Sequence, residues 1–208
     1  MEIREYCVQA FLDELASPSP APGGGSAAAL AGAMSAALIG MVCRVTIGKP
    51  RFAAVEGELC PVLEEAEALR QQLAGLAEAD TQAFNQVMAA HRLAKETDEQ
   101  QATRQVAIQM ALRQATRIPL ETASACAATL HLVGRVIAQI NPNALSDAGV
   151  AALLAEAGLR GAHLNVAVNL AGIQDAEFVQ AAQQELGRAL ESAEQEKERV
   201  VAYVLGQS

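Results

Sequence analysis

The chain has 208 residues, 51% of them hydrophobic and only 3% aromatic, with a formal net charge of −9. That length supplies one large domain with a sizeable core. The acidic balance excludes a nucleic-acid binder, because no basic stripe is present to neutralise phosphates.

Alanine dominates and Trp is absent, a composition that lets helix axes approach closely. No stretch alternates as a strand would. The opening Met1-Glu2-Ile3-Arg4-Glu5-Tyr6 is charged and lacks the apolar run of a signal peptide, so a cytoplasmic protein is expected. The first helix is predicted from about Glu2 to Leu15, with Tyr6, Val8, Phe11, Leu12 and Leu15 on its apolar side.

Next comes Ser17-Pro18-Ser19-Pro20-Ala21-Pro22-Gly23-Gly24-Gly25-Ser26. Alternating prolines favour an extended arm, and the glycines admit backbone angles that side chains forbid. Ser26 reads as the N-cap of a second helix running to about Ile47. Free N–H groups and a positive dipole end at Gly23, Gly24, Gly25 and Ser26 suit an anion or carboxylate. A tight turn that only packs backbones together is the other reading. It is no P-loop, because the Gly-Lys-Ser/Thr element is missing.

Ala27 to Cys43 carries no charge. It is near the short limit for a membrane span, and a helix apolar all round is equally the central helix of a bundle. The bundle is the expectation, with no membrane partner. Gly32, Ala36 and Gly40 recur every four residues and form a packing groove.

Gly48-Lys49-Pro50-Arg51 breaks the second helix. A third runs from about Ala53 to Leu93, with Pro61 kinking it or marking its start. Thr97 or Asp98 caps a fourth. The step Arg117-Ile118-Pro119 kinks that helix or divides it, and its second half reaches Ile140. Asn141-Pro142-Asn143 is a stop, Asn143 or Ser146 starts a fifth helix to about Ala171, and Asp175 to Leu205 forms the last. The fold class is all-α: a single domain over 1–208, a bundle of about six or seven helices.

Three positions invite chemistry. Asp80 sits beside the apolar face of the third helix; its neighbours Thr81, Gln82 and Asn85 are neutral and polar, and no basic residue lies within one turn. Desolvation there raises a carboxyl pKa towards what a general acid-base needs. The commoner arrangement is a boundary aspartate paired with an arginine from another helix.

On the fifth helix, Asp147, Leu154, Gly158, Gly161, Asn165, Asn169 and Gly172 share a stripe. The two asparagines either tie helices together or hold a ligand. Asp147 and Asn165 lie about 27 Å apart along the axis, so a ligand they share must be long or bound between subunits.

His91, His131 and His163 are isolated, and Cys7, Cys43, Cys60 and Cys126 contain no C-x-x-C pair. No metal site is therefore expected, and the thiols read as buried and free.

These residues carry a resemblance. Phe11 to Ala29, Thr46-Ile47-Gly48-Lys49, Asp80-Thr81-Gln82-Ala83-Phe84, Ile118-Pro119-Leu120, Asn143 to Val150 and Gly161 to Leu170 together resemble the formimidoyltetrahydrofolate cyclodeaminase / methenyltetrahydrofolate cyclohydrolase family. The resemblance spans nearly the whole chain in order. It implies an all-helical homodimer with a folate site involving the subunit interface, and Asp80 as the catalytic residue. It implies no cofactor beyond the tetrahydrofolate substrate. Lys49-Pro50-Arg51-Phe52 departs from the lysine-rich segment usual after the family's Gly-Lys.

Under this resemblance the expected reaction is conversion of 5-formimidoyltetrahydrofolate to 5,10-methenyltetrahydrofolate and ammonia. Methenyltetrahydrofolate cyclohydrolase is the alternative, and a non-catalytic folate-binding or scaffold dimer is a third reading. Gly23, Gly24, Gly25, Ser26 and Lys49 would receive folate carboxylates, and Asp147, Asn165 and Asn169 would bond the pterin.

Overall fold

The computed structural model describes residues 8–206. Among them it has six α-helices and no strand: α1 (Val8–Leu15), α2 (Gly24–Arg44), α3 (Glu56–His91), α4 (Asp98–Val136), α5 (Leu145–Leu170) and α6 (Ala176–Gly206). Short 3-10 turns, Pro50–Val55 and Pro142–Ala144, precede α3 and α5. The part of the predicted first helix before Val8, with Tyr6 and Cys7, lies outside the described residues.

α2 is the hub, packed against α3, α5 and α4, and α6 covers α4 and α5. Small residues make this possible. A Cβ on Gly158 of α5 would stand 2.8 Å from both the Ala28 carbonyl and the Cys126 sulfur, closer than real side chains approach, so three helices meet there only because the position is glycine. Val42, Cys43, Leu59, Leu73, Leu130, Ala151, Leu159 and Val166 extend this core along the bundle, each no more than 1% exposed. α2 has the length and hydropathy of a membrane span, but in the fold its apolar surface is taken up largely by three neighbouring helices.

Helix boundaries follow the expected chemistry, with four corrections. α4 opens with a full capping box: Thr97 accepts from the Gln100 N–H, and Gln100 reaches back to the Thr97 N–H. It then runs unbroken through Pro119, so the proline does not divide it. α3 likewise continues through Pro61, six residues from its start. α2 starts at Gly24, with Gly23 as an extended N-cap; Ser26 is not the cap but lies inside the first turn. Cys43 and Cys126 are buried, whereas Cys60 is exposed, contrary to the reading of its thiol as buried.

The proline arm is bent rather than extended. The Ser17 hydroxyl oxygen accepts from the Ser19 N–H, and the Ser19 hydroxyl donates to the Ala21 carbonyl. Local side-chain bonds outcompete the extended form that proline alone favours.

Candidate active site

α3 and α5 both run antiparallel to α2. Ser26 meets Asp80 while Arg44 meets Glu67 on α3; Gly24 lies beside Asn165 while Ser35 bonds the Ala151 carbonyl on α5. The start of α2 therefore meets the later part of α3 and the end of α5. A cleft of about 280 Å³ opens there, lined by the arm (Pro20, Ala21), the turn (Gly23, Gly24, Gly25), Asp80, Phe84, Val87, Ala115, Asn165 and Asn169 among others.

Among the described residues, Asp80 is the only ionisable side chain on that wall, and no arginine pairs with it. It lies across the start of α2, where its carboxylate accepts from the Ser26 N–H and from the Ser26 hydroxyl at 3.1 Å. Burial pushes its pKa above the ordinary carboxylate range, and the two Ser26 bonds pull part of the way back.

Ser26 itself is wholly buried behind Asp80 and forms no part of the cleft wall. Its hydroxyl also lies 2.9 Å from the Ala77 carbonyl and 3.2 Å from the Thr81 hydroxyl. Having a single proton, it must share it between two acceptors. Thr81 has no role in the sequence reading; only packing across α2 and α3 brings it in.

Gly25 makes this contact possible, because a Cβ there would sit 2.1 Å from an Asp80 oxygen. Gly24 differs: the nearest atom to a Cβ is the Asn165 amide nitrogen at 3.9 Å. The first in-helix bond runs from the Ala27 N–H to the Gly23 carbonyl. The N–H groups of Gly24 and Gly25 thus have no partner among the described residues and remain available to a ligand.

Both asparagines reach the cleft, and both are half-committed. Asn165 donates its amide to the Gly161 carbonyl at 2.9 Å, and Asn169 donates to the Ala115 carbonyl at 2.8 Å. A carbonyl only accepts, so each NH₂ must face its carbonyl. Each side-chain oxygen is left without a partner among the described residues. Together with Asp80, the side chains offer acceptors and no cation to a bound molecule.

Lys49 and Asp147 are elsewhere. Lys49 is exposed before the 3-10 turn beyond the far end of α2, and Asp147 is in the first turn of α5. Within one chain the structure does not bring them to the cleft. Of the predicted set it gathers Asp80, Gly23, Gly24, Gly25, Asn165 and Asn169.

Residues 7–188 match the family model for formiminotransferase-cyclodeaminase. The chain belongs to this family. Methenyltetrahydrofolate cyclohydrolase of Methylorubrum extorquens is 47% identical over 193 residues, which is 93% of each chain. Formimidoyltransferase-cyclodeaminase of Rattus norvegicus is 34% identical, across 96% of this chain and 36% of that longer one. The crystal structure of formiminotetrahydrofolate cyclodeaminase from Thermotoga maritima superposes with a TM-score of 0.89 at 29% identity, covering 99% of this chain and 98% of that one. In this family setting, the expected all-α class and folate one-carbon chemistry hold.

Proposed function

We propose that the chain acts on a tetrahydrofolate whose one-carbon unit bridges or links N5 and carries positive charge, with Asp80 as its acid-base group. The observation that carries this reading is a single desolvated carboxylate in a cleft whose other side chains are neutral. Such a site favours a cationic reactant, and burial raises the pKa of its carboxyl above the ordinary carboxylate range.

Two reactions fit. In the cyclohydrolase, water adds to the methenyl carbon and its proton passes to Asp80. The carbon–N5 bond then breaks as the hydroxyl becomes a carbonyl, N5 takes up a proton, and one proton is released overall. In the cyclodeaminase, N10 attacks the formimino carbon and loses its proton to Asp80, which returns one to the departing ammonia.

Cyclodeamination was the first expectation from sequence. The 47% identity to a cyclohydrolase of matching length favours the cyclohydrolase, and the Thermotoga maritima fold match keeps the cyclodeaminase as the second reading. Following the methenyl chromophore separates them. A cyclohydrolase bleaches 5,10-methenyltetrahydrofolate faster than buffer does. A cyclodeaminase generates the chromophore from 5-formimidoyltetrahydrofolate with release of ammonia. Turnover of neither defeats the enzyme reading.

The reading includes a homodimer. Met34 on α2 and Val150, Leu153, Leu164 and Val168 on α5 are about half exposed or more, on neighbouring uncharged stripes. A two-fold axis across this face would bring the end of one chain that carries Lys49 and Asp147 towards the cleft end of the other. That would supply the cation for a folate carboxylate that the cleft itself lacks.

A further inference from the structure

The motif Ile118-Pro119-Leu120 stands in the middle of α4, where a proline is costly, and Pro119 is buried rather than in contact with the cleft. Its effect lies one turn earlier. In an α-helix the N–H of residue 119 would donate to the carbonyl of Ala115. Proline has no N–H, and its ring pushes that carbonyl aside. The Ala115 carbonyl is therefore released from the helix at a place where Ala115 lines the cleft. It is this carbonyl that accepts the Asn169 amide at 2.8 Å.

The structure assigns Pro119 as a positioning residue: by vacating the Ala115 carbonyl it anchors the Asn169 amide and so turns the Asn169 oxygen towards the bound substrate. The substrate part of this rests on the cleft being the folate site; the anchoring part does not. The logic is covalent. With an N–H at 119, that proton competes for the Ala115 carbonyl, and the asparagine loses the bond that fixes which end of its amide faces the ligand. A residue that looks like a helix defect is thus part of the site's geometry, and it reads the ligand through Asn169 without touching it.

The test is P119A, which restores the N–H. The variant is expected to melt no lower than the wild type. Its KM for the folate substrate should rise about three- to tenfold, the scale of one neutral hydrogen bond, with kcat little changed. In an N169A background, P119A should add nothing further. Losses that simply add in the double variant, or a fall in kcat with KM unchanged, overturn the proposal.

Two readouts need no turnover, so they separate failure of this inference from failure of the folate reading. The NMR signals of the Asn169 side-chain amide should move in P119A; unmoved signals refute the anchor. Asn169→Leu should also lower the melting temperature of the wild type, by orphaning the Ala115 carbonyl, and lower it less in the P119A background. Equal losses in the two backgrounds refute the anchor as well. Should P119A not fold, Asn169→Leu in the wild type alone decides: an unchanged melting temperature overturns the proposal.

Discussion

Asparagines anchor both ends of the α2–α5 pair, buried at one end and half-buried at the other, and they differ in how their amides are used. At the far end Asn141 uses both its side-chain oxygen and its side-chain nitrogen. Its backbone N–H donates to the Thr46 hydroxyl and its amide to the Val45 carbonyl. Its oxygen accepts from Arg51 and from the Asn143 N–H. Thr46 in turn donates to Val42. Both ends of the amide are engaged, so this cluster ties the 3-10 turns to the end of α2. At the cleft end Asn165 and Asn169 use only their nitrogens. A buried amide with both ends engaged holds the fold together, whereas one that keeps an acceptor facing a cavity is available to a ligand.

The sharpest way to break this contrast is at Asp80. Asp80→Asn keeps the shape and an oxygen for Ser26, yet turnover is expected to fall by at least ~10²-fold, the scale of a lost acid-base group. The pH dependence carries its own sign. Burial raises the Asp80 pKa, so wild-type kcat/KM declines as pH falls through that raised value, and this limb should be missing from the variant's residual activity. Stability runs the other way. A raised carboxyl pKa means the fold prefers the neutral form. That preference is fully present below about pH 3.9, the ordinary value for aspartate, and is lost as pH rises through the folded-state value. At pH 7 the Asn variant should therefore melt at or above the wild type. A lower melting temperature, or near-normal turnover, would remove Asp80 from its assigned role.

A second test divides the glycine turn itself. Gly25→Ala drives a methyl into the Asp80 carboxylate and is expected to reduce both activity and stability, the latter by about 1–3 kcal/mol for a forced overpacking. Gly24→Ala has room, so its effect should be confined to substrate: a raised KM if a ligand approaches that N–H, and almost no change in melting temperature. Melting curves and Michaelis kinetics of the pair decide it. Equal behaviour of the two variants would mean that the turn acts as one structural unit.

The smallest expected effects complete the contrast between the ends. Asn141→Ala should cost about 1–3 kcal/mol of stability, because it removes three part-buried hydrogen bonds at once, and leave KM alone. Asn165→Ala loses only an i−4 bond and should raise KM with less than about 1 kcal/mol of destabilisation. Chemical denaturation and kinetics of both variants would show whether satisfied and half-satisfied asparagines really separate structure from binding.

The helices and the chemical nominees were legible in the chain because they depend on local signals. Periodicity placed α3 to α6, Thr97 announced its cap, and an aspartate without a nearby cation stood out at position 80. What stayed hidden required contacts across the sequence. Ser26 looks like a cap because serine before an alanine run usually is one. Gly23 takes that place instead, and the Ser26 hydroxyl donates to Asp80, 54 residues further along. Pro119 reads as a break because its effect is exerted through Asn169, 50 positions later. Lys49 was grouped with the cleft by resemblance and Asp147 also by its place on the α5 stripe, and a single chain holds both at its opposite end.

The central position of α2 also sets a schedule for synthesis. This helix, apolar enough to span a bilayer, reaches its final surroundings only after α5 has been made, because α5 covers one whole side of it. At 5–20 residues per second, the stretch from Val45 to Leu170 takes on the order of ten seconds to emerge. During that wait the most water-averse segment of the chain has α3 and then α4 for shelter, and no third wall. The same close fit of α2, α4 and α5 around Gly158 that makes the finished bundle dense therefore leaves the nascent chain dependent on whatever shields exposed helices at the ribosome.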